Sequence, residues 1–181
     1  MAYRNGTYIA FHADHPENQT ETDIKYYRLL SAWNVRDEGD FKFVDSHEKN
    51  SIRQGSQREV IERKLIERIN NSKNMILIIG ETTKNDPDWI PYEISYAVDT
   101  CKIPVIAAYT MHAGRVLNPS ALATWWPPAL KSRIEAQTAS IIHVPFKKEP
   151  LADAVQQFNH NNLPPGSLMY YSEDTYRLWG I

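Results

Sequence analysis

With 181 residues, 42% of them hydrophobic and 23% charged, the chain has the composition of an ordinary globular protein, and a domain of this length buries about 70% of the surface that its unfolded chain exposes. A net charge of -2 and a pI near 6.3 give no electrostatic footprint for DNA or RNA, which excludes nucleic acid as an expected partner. The opening Met1-Ala2-Tyr3-Arg4-Asn5-Gly6-Thr7 has no apolar signal core, and no apolar run approaches the roughly 20 residues that span a bilayer, so a cytoplasmic protein without membrane contact is expected.

Residues 7–13 read as a first strand. Helical spacing of Ile24, Tyr27, Leu30 and Ala32 follows over 23–35. Phe41-Lys42-Phe43-Val44-Asp45 reads as a second strand, and the polar stretch 46–57 that follows is long for a connection between strand and helix, a length often tied to function. Over 58–71, Ile61, Leu65, Ile66 and Ile69 share one helical face. The run 75–80 is almost continuously apolar, the mark of a central parallel strand covered by helices on both sides.

A third helix opens at Asp88-Trp89-Ile90-Pro91-Tyr92-Glu93, with Ile94, Ala97, Val98 and Cys101 on one stripe. Pro91 is tolerated only in the first turn, so Glu93 is expected in or near that turn. The single cysteine, Cys101, then reads as an inert core thiol. A buried strand over 103–109 follows, then a helix over 120–137 broken at Pro127-Pro128, a fifth strand over 140–146, a helix over 151–158 and a short terminal helix over 172–179.

Strands alternating with helices predict an α/β fold, a flavodoxin-like three-layer sandwich on a five-stranded parallel sheet of order 2-1-3-4-5. One domain over 1–181 is expected, with a core of about 3–160 and a C-terminal extension over 161–181. In such a sheet ligands bind outside the carboxyl ends of the strands, here at the switch point between strands 1 and 3. Phe11 and His12 reach that edge from strand 1, Asp45 and Ser46 from strand 2, and Glu93 from the segment after strand 3.

A carboxylate there can hold ribose hydroxyls and stabilise an oxocarbenium-like centre as an N-glycosidic bond breaks. Trp89 and Tyr92 suit stacking on a flat ring, although packing is the commoner role of such residues. An acid at a helix start is also favoured by the helix dipole alone, so position does not by itself make Glu93 catalytic. Asp45-Ser46-His47 imitates a hydrolytic triad, but neighbours on a strand point to opposite faces. His12, Asp14 and His15 have no second cluster of ligand spacing, so solvated histidines are expected and no metal. No glycine-rich phosphate loop of the dinucleotide-binding or Walker type occurs in the sequence. A receiver domain fails at Gly80-Glu81, where its phosphoacceptor aspartate belongs.

Three segments carry a family resemblance. Ser72-Lys73-Asn74-Met75-Ile76-Leu77-Ile78-Ile79-Gly80, then Trp89, Tyr92, Glu93 and Ile94, then Lys102-Ile103-Pro104-Val105-Ile106 resemble the strand, catalytic-helix and next-strand segments of TIR domains. The opening Tyr3-Arg4-Asn5-Gly6-Thr7-Tyr8-Ile9-Ala10-Phe11 is similar to the bacterial TIR-like group that includes the ThsB proteins of Thoeris anti-phage defence. The resemblance implies an enzyme that cleaves NAD+ at the nicotinamide ribose bond, with NAD+ as substrate, no cofactor, and Glu93 as catalytic glutamate. It further implies an ADP-ribose-derived messenger, cyclic or conjugated, that activates a separate effector, and self-association on activation. Two rivals have other signatures: a non-catalytic TIR-like scaffold module, and a nucleoside deoxyribosyltransferase, which shares the fold and a glutamate at a glycosidic bond.

Overall fold

The structure, a computed structural model, describes residues 4–12, 23–36, 43–44 and 58–181. Its centre is one parallel sheet. The strands are β1 (Gly6–Ala10), β2 (Phe43–Val44), β3 (Ser72–Ile79), β4 (Val105–Tyr109), β5 (Ile141–Pro145) and β6 (Met169–Tyr170). They lie in the order β2-β1-β3-β4-β5-β6, every neighbouring pair parallel. The expected order 2-1-3-4-5 is therefore the order found, with a sixth short strand added beyond β5.

Apolar strands with alternating faces need helices on both sides, and the chain supplies them. One face carries Tyr8, Ala10, Met75, Leu77, Ile79, Val105, Ala107 and Tyr109, packed with Ile61, Leu65 and Ile69 of helix α2 (Arg58–Asn70) and Ile90 and Ile94 of helix α3 (Trp89–Ser95). Helix α4 (Pro128–Glu135) joins that layer through Leu130 and Ile134. The opposite face carries Ile9, Phe11, Ile76, Ile78, Ile106, Ala108, Ile142 and Val144. It is covered by α1 (Ile24–Arg36), α5 (Lys148–Gln157) and α6 (Glu173–Leu178).

Several boundaries differ from expectation for local reasons. After Ser95 the third helix widens into a π turn, Tyr96–Thr100, closed by the Cys101 N–H on Tyr96 O at 3.0 Å. Ala97, Val98 and Cys101 stay buried, as their spacing requires. The broken helix over 120–137 resolves into a 3-10 segment, Pro119–Trp125, and α4. Pro127 is extended and Pro128 takes the first helical position, where its missing N–H leaves no donor unpaired. The short β6 lacks any period that a sequence reading can detect. It forms because Ile142 and His143 of β5 offer an open edge to Met169 and Tyr170. Residues 161–181 also bury Tyr171 and Tyr176, so the expected extension is part of the packed core. Among the described residues no helix is long and apolar enough to cross a membrane.

Candidate functional site

Glu93 is the fifth residue of α3, just past the first turn and so near it as expected, because the helix begins at Trp89. Pro91 is its third residue, where the lost N–H belongs to the unpaired first turn. The helix is started by a residue that sequence reasoning passed over: Asp86 Oδ1 accepts the backbone N–H of Asp88 at 2.9 Å and of Trp89 at 2.8 Å. Since the dipole acts mainly within the first turn, its stabilisation explains little of a carboxylate in the second.

The Glu93 side chain is fully buried. A carboxylate pays heavily for leaving water unless donors replace it. One donor comes from the sheet: Tyr8 Oη donates to Glu93 Oε1 at 2.6 Å. Tyr8 reaches it because β1 alternates, sending Tyr8 and Ala10 to the α3 layer and Ile9 to the other. A tyrosine in a strand covered on both faces needs a partner for its hydroxyl, and this was the one signal in the sequence that pointed to Tyr8.

The carboxyl edge of β1 and β3 is built around two acids. His12 Nδ1 lies 3.2 Å from Thr82 Oγ1, and its Nε2 is 4.0 Å from Asp86 Oδ2. Its side chain is 13% exposed, so His12 is held in the edge rather than solvated as expected. Beside it, Asp23 Oδ2 accepts from Thr83 Oγ1 at 2.7 Å, and Thr83 Oγ1 accepts the Gly80 N–H at 2.8 Å. This ties the start of α1 to the end of β3. Asp23, Thr83 and Asp86 are all buried, and neither Asp23 nor Asp86 was singled out from the sequence. The pattern Asp86-Pro87-Asp88-Trp89, an acid shortly before an apolar helix start, was the available signal for Asp86.

The aromatic residues divide between the two layers. Trp89 and Tyr92 are half-buried on the Glu93 side, their ring centroids 6.4 Å apart and edge to face. Tyr92 stacks on Tyr96 at 6.4 Å, and the Arg58 guanidinium lies 5.4 Å from the Trp89 ring centre. Burial, and then the charge of Glu62, raise the Tyr92 phenol above its ordinary pKa, so it stays a neutral hydroxyl. Phe11, also expected at the ligand edge, is 2% exposed and stacks on Tyr27 at 5.1 Å in the layer opposite Glu93, because the residue after Ala10 continues the inward alternation of Ile9. Asp45, Ser46, His47, Asp14 and His15 lie outside the described residues. Among the described residues no group of acids, histidines and cysteines could hold a metal. Cys101 is buried, its thiol pushed up by burial and donating to Asn70 Oδ1 at 3.2 Å, as expected for an inert thiol.

Two further polar features involve the strands beyond β3. Tyr109, Trp126 and His143 form a buried chain: Trp126 Nε1 donates to Tyr109 Oη at 2.7 Å, which lies 2.7 Å from His143 Nδ1. His143 Nε2 lies 2.9 Å from Ser167 O, a pure acceptor, so Nε2 carries the proton and Nδ1 accepts from Tyr109. A cleft of about 380 Å³ runs along Ile134, Gln137, Gly166, Leu168 and Tyr170. It opens where β5 begins, since the Ile141 N–H bonds Gly166 O, at the end of the sheet opposite the His12 edge.

Compared with known families, residues 8–115 match the family model described as Thoeris protein ThsB, TIR-like domain. The matched span contains Tyr8, His12, Asp86, Trp89, Tyr92 and Glu93 together.

Proposed function

The chain belongs to the TIR-like domain family of the Thoeris protein ThsB, and from that membership we propose that it is an anti-phage enzyme that cleaves NAD+ and releases nicotinamide. The observation that carries this reading is Glu93. It is a buried carboxylate on the helix that follows the central strand, tied to Tyr8 of β1, in a parallel sheet of the kind that binds ligands outside the carboxyl ends of its strands.

Glu93 holds ribose hydroxyls and stabilises the positive charge that develops on the ribose carbon as the glycosidic bond breaks. The bonding electrons pass to the pyridinium nitrogen, so nicotinamide leaves neutral, and an acceptor then attacks the ribose carbon. Trp89 and Tyr92 contact flat rings, and His12, Asp45 and Ser46 line the ribose and phosphate region. The product is an ADP-ribose-derived messenger, a cyclic isomer or a conjugate, that activates a separate effector. Because Glu93 has no exposed surface in this structure, its surroundings must rearrange for substrate to reach it, and self-association on activation is the proposed trigger.

The test is nicotinamide release by the assembled, activated chain, followed by chromatography and mass spectrometry. Wild type should turn NAD+ over and Glu93→Gln should not; equal turnover by both would end the mechanism. The burial of Glu93 favours one second reading, a TIR-like module that acts without catalysis. Protection of phage-challenged cells that survives Glu93→Gln would select it.

A further inference from the structure

A glutamate side chain has three rotatable bonds before its oxygens, so a catalytic carboxylate on a helix needs something outside the helix to aim it. In this chain the sheet supplies that. Tyr8 stands on β1, which is paired on both sides, Tyr8 with Val44 of β2 and with Met75 of β3. Its ring is fully buried, and its hydroxyl donates to Glu93 Oε1 at 2.6 Å, within the range of a well-formed O–H···O hydrogen bond. A phenylalanine in its place would fill nearly the same volume without the donor.

We propose that Tyr8 is the positioning residue for Glu93: its phenol fixes one carboxylate oxygen to the central sheet and so sets the other for the ribose. The inference rests on the catalytic reading of Glu93. The role assigned to Tyr8 is exerted through Glu93, with no contact to NAD+ of its own. A displaced carboxylate should lower the rate of the chemical step and leave binding of the dinucleotide intact.

Two measurements test it. In the first, Tyr8→Phe and wild type are assembled identically and nicotinamide release is followed against NAD+ concentration. The expected result is a kcat lower by about 100-fold with KM unchanged within about twofold. An unchanged kcat, or a raised KM at constant kcat, would overturn the assignment while leaving the function of Glu93 standing. The second measurement needs no activity: urea unfolding of Tyr8→Phe, Glu93→Met and the double variant. Losing the phenol alone takes this donor from the buried carboxylate and should lower the folding constant by about tenfold, whereas in the Glu93→Met background it should change it by less than about twofold. Equal losses in both backgrounds would mean that Tyr8 merely packs, and would overturn the inference. If wild type releases no nicotinamide, the proposed function falls, and the unfolding cycle still decides whether Tyr8 holds Glu93.

Discussion

Gly80 and Asp23 are in such close approach that a Cβ placed on Gly80 would come within 2.0 Å of Asp23 Oδ1. The absent side chain is what lets the carboxylate of Asp23, at the start of α1, reach Thr83 across the end of β3. Gly80→Ala should therefore force the carboxylate aside and cost about 1–3 kcal/mol, the range for overfilling a packed interior. Urea denaturation measures this, and a loss below a few tenths would mean that Asp23 swings away freely.

Asp86 caps the helix that carries Glu93 while its second oxygen faces His12. Asp86→Ala should lose about 1 kcal/mol through the cap. Asp86→Asn keeps a side-chain oxygen for the same two N–H groups and should lose less. Unfolding curves of the pair separate the cap from the charge: equal losses would show that the carboxylate's charge, and not its oxygen, is what the helix needs.

Glu93→Gln tests a different balance. The substitution removes a charge from a fully buried site and keeps an oxygen for the Tyr8 hydroxyl. The variant should be destabilised by less than about 1 kcal/mol, because the lost charge-assisted bond is offset by the relieved desolvation. Thermal melts that show a much larger loss would make Glu93 a structural linchpin.

His143 gives the pH dependence. Burial pushes its pKa down from 6.5 to about 4. Below pH 6.5 the unfolded chain takes up a proton that the folded chain refuses, so stability is full at neutral pH and falls as the pH drops from about 6.5 toward 4. The loss between pH 7 and pH 5 should be about 2 kcal/mol, from a shift of that size. His143→Gln should flatten this dependence even though it lowers stability at pH 7, because the Tyr109 hydroxyl loses its acceptor. Urea midpoints at both pH values check it; an unchanged slope in the variant would assign the dependence to other groups.

Much of the fold was legible because its signals are periodic. The continuous apolar run of β3, the stripe Ile61, Leu65 and Ile69, and the stripe Ile94, Ala97, Val98 and Cys101 all end where their spacing puts them, in the core. Glu93 was legible through its place after β3. What stayed hidden depends on contacts between residues distant in sequence. Nothing local tells that Tyr8 and Glu93, 85 residues apart, share a hydrogen bond, or that Asp23 meets Thr83 across 60. The packing of Phe11 was hidden for a related reason: the strand was expected to run past it toward an open edge, while Tyr27 of α1 covers its ring. The two-residue β6 was invisible because a pairing that short is decided by the vacant side of β5.

That last strand bears on how much of the chain is needed to fold. The family match stops at residue 115, just past β4, yet β4 is bonded along its far side to β5 from Val105 to Tyr109, and β5 in turn to β6. A chain cut at 115 would bare the backbone of the five-residue β4 as an apolar edge and leave Tyr109 without His143, an invitation to aggregate strand to strand. A chain ending with the matched span therefore lacks the strands that cover β4, and expression trials should extend through α6, whose Tyr176 is fully buried.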